Sequence, residues 1–196
     1  MEKPAHYIEA TILPLDGTEP SRADIAFATS SIMRCVHLVI VEGAEVAVSF
    51  PQMTVDEVTS TGAVVRIFGS VLDLAKLLAR PDFASLNAGG MFRLGKEAIR
   101  PVPNAVVWET YRRVRSVERT FEGFGQREAR RRERMEDAAS RDARPKQKRE
   151  KTAFINMRSS STGDHRFSLF IGKASAGGFI AGKPNSYGLG VTVPSF

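Results

Sequence analysis

Short apolar runs alternate with helical repeats through the first hundred residues, and that alternation most limits the folds open to this chain of 196 residues. His6 to Leu13 carries Tyr7, Ile8, Ala10, Ile12 and Leu13, then Pro14 and the turn pair Asp16-Gly17, and reads as a strand. Ser21 stands at an N-cap position with Asp24 three residues on, a weak capping box. From there Ile25, Ile32, Val36, Val39 and Ile40 fall on one helical stripe up to about Glu42, where Gly43 ends the helix. Val46 to Phe50, closed by Pro51, and Ala63 to Phe68 read as strands. Val71 to Leu78 reads as a compact helix ended by Pro81. Met91 to Leu94, with Ala98 and Ile99 as a continuation, gives a fourth strand.

The order β-α-β-β-α-β predicts a ferredoxin-like (RRM-like) domain over residues 1–100 of an α+β protein. RNA-binding modules use this fold and so do many unrelated proteins, so it leaves function open. Pro101-Val102-Pro103 marks a boundary. Residues 101–196 form a second unit, predicted to hold an arginine-rich helix and a small β-sheet or hairpin. Val106 to Val117 is apolar and β-branched, interrupted by Arg112, Arg113 and Arg115, and leads out of the linker as a strand.

Charge is concentrated in this second unit. Of 28 basic and 22 acidic residues, positions 101–151 hold 15 and 9, which leaves 13 of each elsewhere. The whole excess of +6 therefore lies in one segment, the footprint of a polyanion engaged by one element. Within it, a helix over about residues 125–138 places Arg127, Arg130, Arg131 and Arg134 at i, i+3, i+4 and i+7, on one face. Glu128, Arg132 and Glu136 form a separate, self-compensating row. A solvated, salt-bridged helix is the bland alternative. Like charges on one face are destabilising unless a partner neutralises them, and arginine favours bidentate phosphate and guanine contacts. Asp142 to Lys151, with Pro145 and five Lys/Arg, reads as a mobile linker.

Phe154 to Met157 and Phe167 to Ile171 flank a polar turn and read as a hairpin or strand–loop–strand. Its loop gathers Arg158, Ser159, Ser160, Ser161, Thr162 and His165 around Gly163. One guanidinium, four hydroxyls and exposed N–H groups suit a phosphate, and an ordinary solvated turn is the alternative. The glycines at 177, 178 and 182 match neither a Walker loop nor a dinucleotide fingerprint and read as turns.

Several classes are excluded or disfavoured. No apolar run approaches the roughly 20 residues of a membrane helix. The opening Met-Glu-Lys-Pro-Ala-His lacks a signal-peptide core, which gives an expectation of a cytoplasmic protein with no membrane partner. The single cysteine, Cys35, lies in an apolar helical pattern and reads as a buried structural thiol. His6, His37 and His165 show no metal-ligand spacing, so neither metal nor cofactor is expected. His37, near the edge of the first helix's stripe, reads by itself as a half-buried histidine satisfied by a neighbour.

The run Arg158-Ser-Ser-Ser-Thr-Gly-Asp-His165, then Phe167 to Ile171, Ser186-Tyr-Gly-Leu189 and the terminal Val-Pro-Ser-Phe, resembles a known C-terminal domain. It is that of the repeat-processing endoribonucleases of type I-F (Yersinia-subtype) CRISPR systems. His6 to Glu9, the Val-Ser-Phe-Pro of 48–51, Leu77 to Pro81 and Tyr111 to Val114 extend the resemblance, in order, over the whole chain. The resemblance implies an RNA-cutting enzyme whose catalytic histidine is His37, with the loop before Val-Ser-Phe-Pro two residues shorter here. It implies that Ser159 handles the nucleophilic 2′-hydroxyl, that Ser161 lies near the scissile phosphate and that Tyr187 orients the histidine. The implied products are a 2′,3′-cyclic phosphate and a 5′-hydroxyl, formed without metal. The implied partners are the CRISPR repeat RNA hairpin, retained as crRNA, and the other subunits of a type I-F crRNA-guided surveillance complex.

The arginine helix would dock in the major groove near the end of a short stem, because an A-form major groove is otherwise too deep and narrow. An ungapped match from Tyr111 puts Ser116 and Glu118 where the family has a base-reading arginine and glutamine, leaving Arg113, Arg115 or Arg119 to substitute. The aromatic that stacks on the terminal base pair falls at Arg166 or Phe167, and stacking favours Phe167. Two alternatives stand beside the nuclease: a non-catalytic RNA-hairpin scaffold of the same fold, and a generic basic protein binding rRNA or DNA.

Overall fold

The computed structural model describes residues 1–55, 59–115, 151–158 and 166–196. Its elements run β1 (His6–Ile12), α1 (Arg22–Val41), β2 (Ala47–Ser49), β3 (Val64–Gly69), α2 (Val71–Leu78), α3 (Pro81–Ala88), β4 (Phe92–Leu94), β5 (Arg100–Pro101), β6 (Val107–Arg113), β7 (Ala153–Arg158), β8 (Arg166–Ala176) and β9 (Thr192–Ser195). The first sheet has the order β2-β3-β1-β4, antiparallel at each pairing. That is the strand order of a ferredoxin-like βαββαβ unit, with the central β1 and β3 paired from His6↔Gly69 to Thr11↔Val64. The second sheet has the order β7-β8-β6-β9, also antiparallel.

The capping box at Ser21 forms in full: its hydroxyl accepts from the Asp24 N–H at 3.1 Å, and Asp24 accepts from the Ser21 N–H at 2.8 Å. From that cap α1 buries Ala28, Ile32, Met33, Cys35, Val36 and Val39. Full burial of each of its larger aliphatic side chains contributes roughly 1.5–3 kcal/mol. By length and composition α1 also passes as a bilayer span, contrary to the expectation from the sequence. Its stripe, however, packs into the protein core, so it is a core helix here. Along its flank runs β7, the edge strand of the second sheet.

Two elements differ from expectation. Pro81 does not merely end a helix. α2 stops at Leu78, and Pro81 occupies the first turn of a further helix, α3, where its missing N–H would be unpaired anyway. Pro101, read as the start of the boundary, forms with Arg100 a short strand that pairs with β1, and the Val102 N–H continues to the Ala5 carbonyl at 2.9 Å.

The two sheets share one apolar core, in which Phe50, Val48 and Ile67 lie with Tyr111, Ile155, Leu169 and Val193. Polar ties reinforce it. Arg66 binds Glu9 at 2.6 Å and lies 4.1 Å over the ring of Phe196, while Arg100 binds the other Glu9 oxygen at 3.0 Å. Tyr111, 1% exposed, holds its hydroxyl 2.8 Å from Glu109 and 3.1 Å from the Phe50 carbonyl, sharing its proton between them. Burial, then the Glu109 carboxylate, push its titration far up.

A histidine-centred candidate site

The site is built where α1 of the first half meets a turn of the second. Asn185 organises that turn. Its side-chain oxygen accepts from the N–H groups of Tyr187 at 2.8 Å and Leu189 at 3.2 Å, and its carbonyl accepts from Gly188 at 2.9 Å. The Gly188 carbonyl in turn accepts from the Val48 N–H at 2.8 Å, which pins the turn to β2. Gly188 has φ +73°, and a Cβ there would stand 2.8 Å from Val48 Cγ2. Only glycine meets both demands.

Pinned in this way, the turn presents two groups to His37. The Ser186 carbonyl lies 2.7 Å from His37 Nδ1. A carbonyl only accepts, so in the neutral ring Nδ1 carries the proton and Nε2 keeps its lone pair. No described residue hydrogen-bonds Nε2. The Tyr187 ring stacks on the imidazole, with centroids 4.8 Å apart and planes 18° from parallel. The imidazole is thus fixed in tautomer by one neighbour and in plane by the next.

Around this pair the second sheet adds Phe167, whose ring lies 6.1 Å from that of Tyr187. Arg113, at the end of β6, holds its guanidinium 5.7 Å from the Phe167 centroid and 5.8 Å from the Tyr187 centroid. His37, Tyr187, Phe167 and Arg113 therefore converge, although the chain separates them widely. Arg115 is exposed beyond β6. Arg158 and Arg166 are paired in register at the loop end of the hairpin. Arg119, Arg127, Arg130, Arg131 and Arg134, together with Ser159, Ser161 and His165, lie outside the described residues.

Sequence reading missed three positioning elements: the Ser186 carbonyl, the Asn185 side chain and the Gly188–Val48 contact. The turn signal Lys183-Pro184-Asn185-Ser186 was visible, but nothing local says that its carbonyl meets a histidine on the first helix.

A ferredoxin-like half, a second antiparallel sheet and a histidine whose Nε2 no described residue engages, with Arg113 beside its stacked tyrosine, define an α+β protein with a histidine-centred site between its two sheets. The family of CRISPR-associated proteins called Cas_Csy4 matches residues 7–196. The chain belongs to that family, the repeat-specific endoribonucleases of type I-F CRISPR systems. No curated protein matches it. One solved structure, named "CRISPR associated protein Cas6", aligns over 100% of both chains at 12% identity, with a TM-score of 0.33, too slight a likeness to bear on the argument.

Proposed function

We propose that this protein cuts CRISPR precursor RNA at the 3′ base of the repeat hairpin, using the RNA's own 2′-hydroxyl as nucleophile. The observation that carries the reading is the His37–Ser186 hydrogen bond, which leaves Nε2 as a proton acceptor in a fixed plane. His37 Nε2 takes the 2′-hydroxyl proton as the 2′-oxygen attacks phosphorus. The P–O5′ bond breaks, the departing 5′-oxygen takes a proton from water, and Nε2 releases to the solvent the proton it took. The products are a 2′,3′-cyclic phosphate and a 5′-hydroxyl, and no metal is called for, because the nucleophile needs only positioning and deprotonation. On the family resemblance, Ser159 holds the 2′-hydroxyl, Ser161 donates to the phosphate and Tyr187 orients the imidazole.

Phe167 stacks on the terminal base pair of the stem, flanked by Arg113. The arginines at 127, 130, 131 and 134 bind the stem backbone, with Arg115 and Arg119 near its base and Arg158 and His165 near the cleaved phosphate. The protein keeps its hairpin product as a subunit of a crRNA-guided complex in the cytoplasm. The test is cleavage of the host's repeat RNA in excess EDTA beside His37→Ala. One cut below the stem, lost in the variant while binding persists, is the expected result. Tight binding without cleavage by the wild type would leave only an RNA-hairpin scaffold.

A further inference from the structure

A cleft of about 570 Å³ runs between α1 and the loop end of the β7–β8 hairpin. Its α1 wall is Ala23, Ala26, Phe27, Ser30, Ser31 and Arg34, a stripe at i, i+3, i+4, i+7, i+8 and i+11. His37 continues that stripe three residues beyond Arg34. From Ala23 to His37 the stripe covers about 21 Å at 1.5 Å per residue. The opposite wall is Asn156, Met157, Arg158 and Arg166.

Three properties of this cleft fit a single-stranded polyanion. Arg34, Arg158 and Arg166 are all exposed, and among the described residues none has a carboxylate partner. Arg158 and Arg166 stand directly opposite each other in the hairpin register, a like-charge pair that is unfavourable until an anion lies between them. Phe27 is 58% exposed on the helical wall, a ring free to stack on a base. The hydroxyl protons of Ser30 and Ser31 are both given to the Phe27 carbonyl, so the charge of the arginines and the Phe27 ring are the larger handles here.

We infer that this cleft holds the RNA strand on the 3′ side of the cleavage point, the strand that leaves. The assignment, direction included, rests on the nuclease reading above, which puts the stem at Phe167 and Arg113. Phe167 and Arg113 take up the stem side of His37, whereas the cleft opens one helical turn away along α1. A chain passing the scissile phosphate continues from the first region into the second. Arg34, Arg158 and Arg166 then bind successive phosphates, and Phe27 stacks on one of the bases between them.

The test uses RNA with a 2′-deoxy nucleotide at the cleavage point, which binds without being cut. Three RNAs are compared: the hairpin ended at that point, the hairpin extended by several nucleotides on its 3′ side, and the hairpin extended on its 5′ side. The 3′ extension should tighten binding about tenfold and steepen the salt dependence by about 2, near 0.7 for each phosphate neutralised on a single strand. Phe27→Ala and Arg34→Ala should each remove most of that gain and leave the unextended hairpin bound as before. Arg34→Lys should restore the salt slope. Equal affinity for the extended and unextended hairpins, a gain from the 5′ extension alone, or a gain that survives both alanine variants overturns the cleft assignment. Failure of the wild type to bind the unextended hairpin overturns the nuclease reading instead.

Discussion

His37 gives its Nδ1 proton to the carbonyl of Ser186, 149 residues further along the chain and 2.7 Å away. The side chain thus does two things: it closes a hydrogen bond between the halves, and it leaves a second nitrogen available. His37→Asn separates them, because the asparagine amide N–H can reach the same carbonyl while nothing replaces Nε2. Cleavage of repeat RNA is expected to fall by about 10²–10⁴-fold, the usual contribution of a general base. Hairpin affinity and melting temperature should stay close to wild type. A variant that still cleaves within a few-fold of wild type would remove His37 from the chemistry.

Gly188→Ala tests the anchor of that hydrogen bond. Its φ of +73° and the 2.8 Å approach to Val48 Cγ2 both disfavour a side chain. The expected loss is about 1–3 kcal/mol of stability. Cleavage should fall more than hairpin binding does, since the displaced turn carries both Ser186 and Tyr187. Unchanged melting and unchanged rate would mean that the turn has other ways of docking on β2.

Tyr111→Phe should cost about 1–3 kcal/mol in urea unfolding, because it leaves the Phe50 carbonyl and the Glu109 carboxylate without the hydroxyl. A change within error would show that water replaces the hydroxyl at no penalty.

Glu9 gives the fold an acid-sensitive tie. Burial raises its carboxyl, but the hydrogen bonds and charges of Arg66 and Arg100 outweigh burial and hold it below the usual carboxylate value. A group depressed in the folded state stabilises above its unfolded titration and loses that contribution as pH falls through the folded one. Stability measured from pH 6 down to pH 3 should therefore decline, and Glu9→Gln should flatten part of that decline. Parallel curves for the two proteins would assign the acid sensitivity elsewhere.

Cys35 should be silent to alkylation in the native protein. Burial first, and then the nearby Asp82 charge, push its thiol up to about 12. Iodoacetamide at pH 8 is expected to label it only after unfolding in urea. Rapid labelling of the folded protein would place the thiol at an accessible position instead.

The βαββαβ order was legible because its signals are local: alternation in β1, the Ser21–Asp24 cap, the stripe of α1. What escaped was set by contacts or by ambiguous residues. Proline serves both to stop a helix and to start one, so Pro81 hid α3. Arg100–Pro101 becomes a strand only because β1 offers an edge to it. His37 on its own looked like a histidine satisfied by a neighbour, and it does have such a neighbour. The contact with Ser186 occupies one nitrogen, and which nitrogen stays open is a matter of three-dimensional placement. Arg34 went unnoticed although it lies three residues before His37 on the same stripe, because an arginine on a helix reads as solvated until a facing wall is known.

The turn from Asn185 to Gly190 is synthesised well after α1, with Ser186 149 residues beyond His37. At roughly 5–20 residues per second, His37 leaves the ribosome's catalytic centre about 7–30 seconds before Ser186 does. During that interval the imidazole has neither its carbonyl nor its stacking ring. A nascent chain therefore carries its histidine before it has a formed centre, and the centre can assemble only once the Asn185–Gly190 turn has been made.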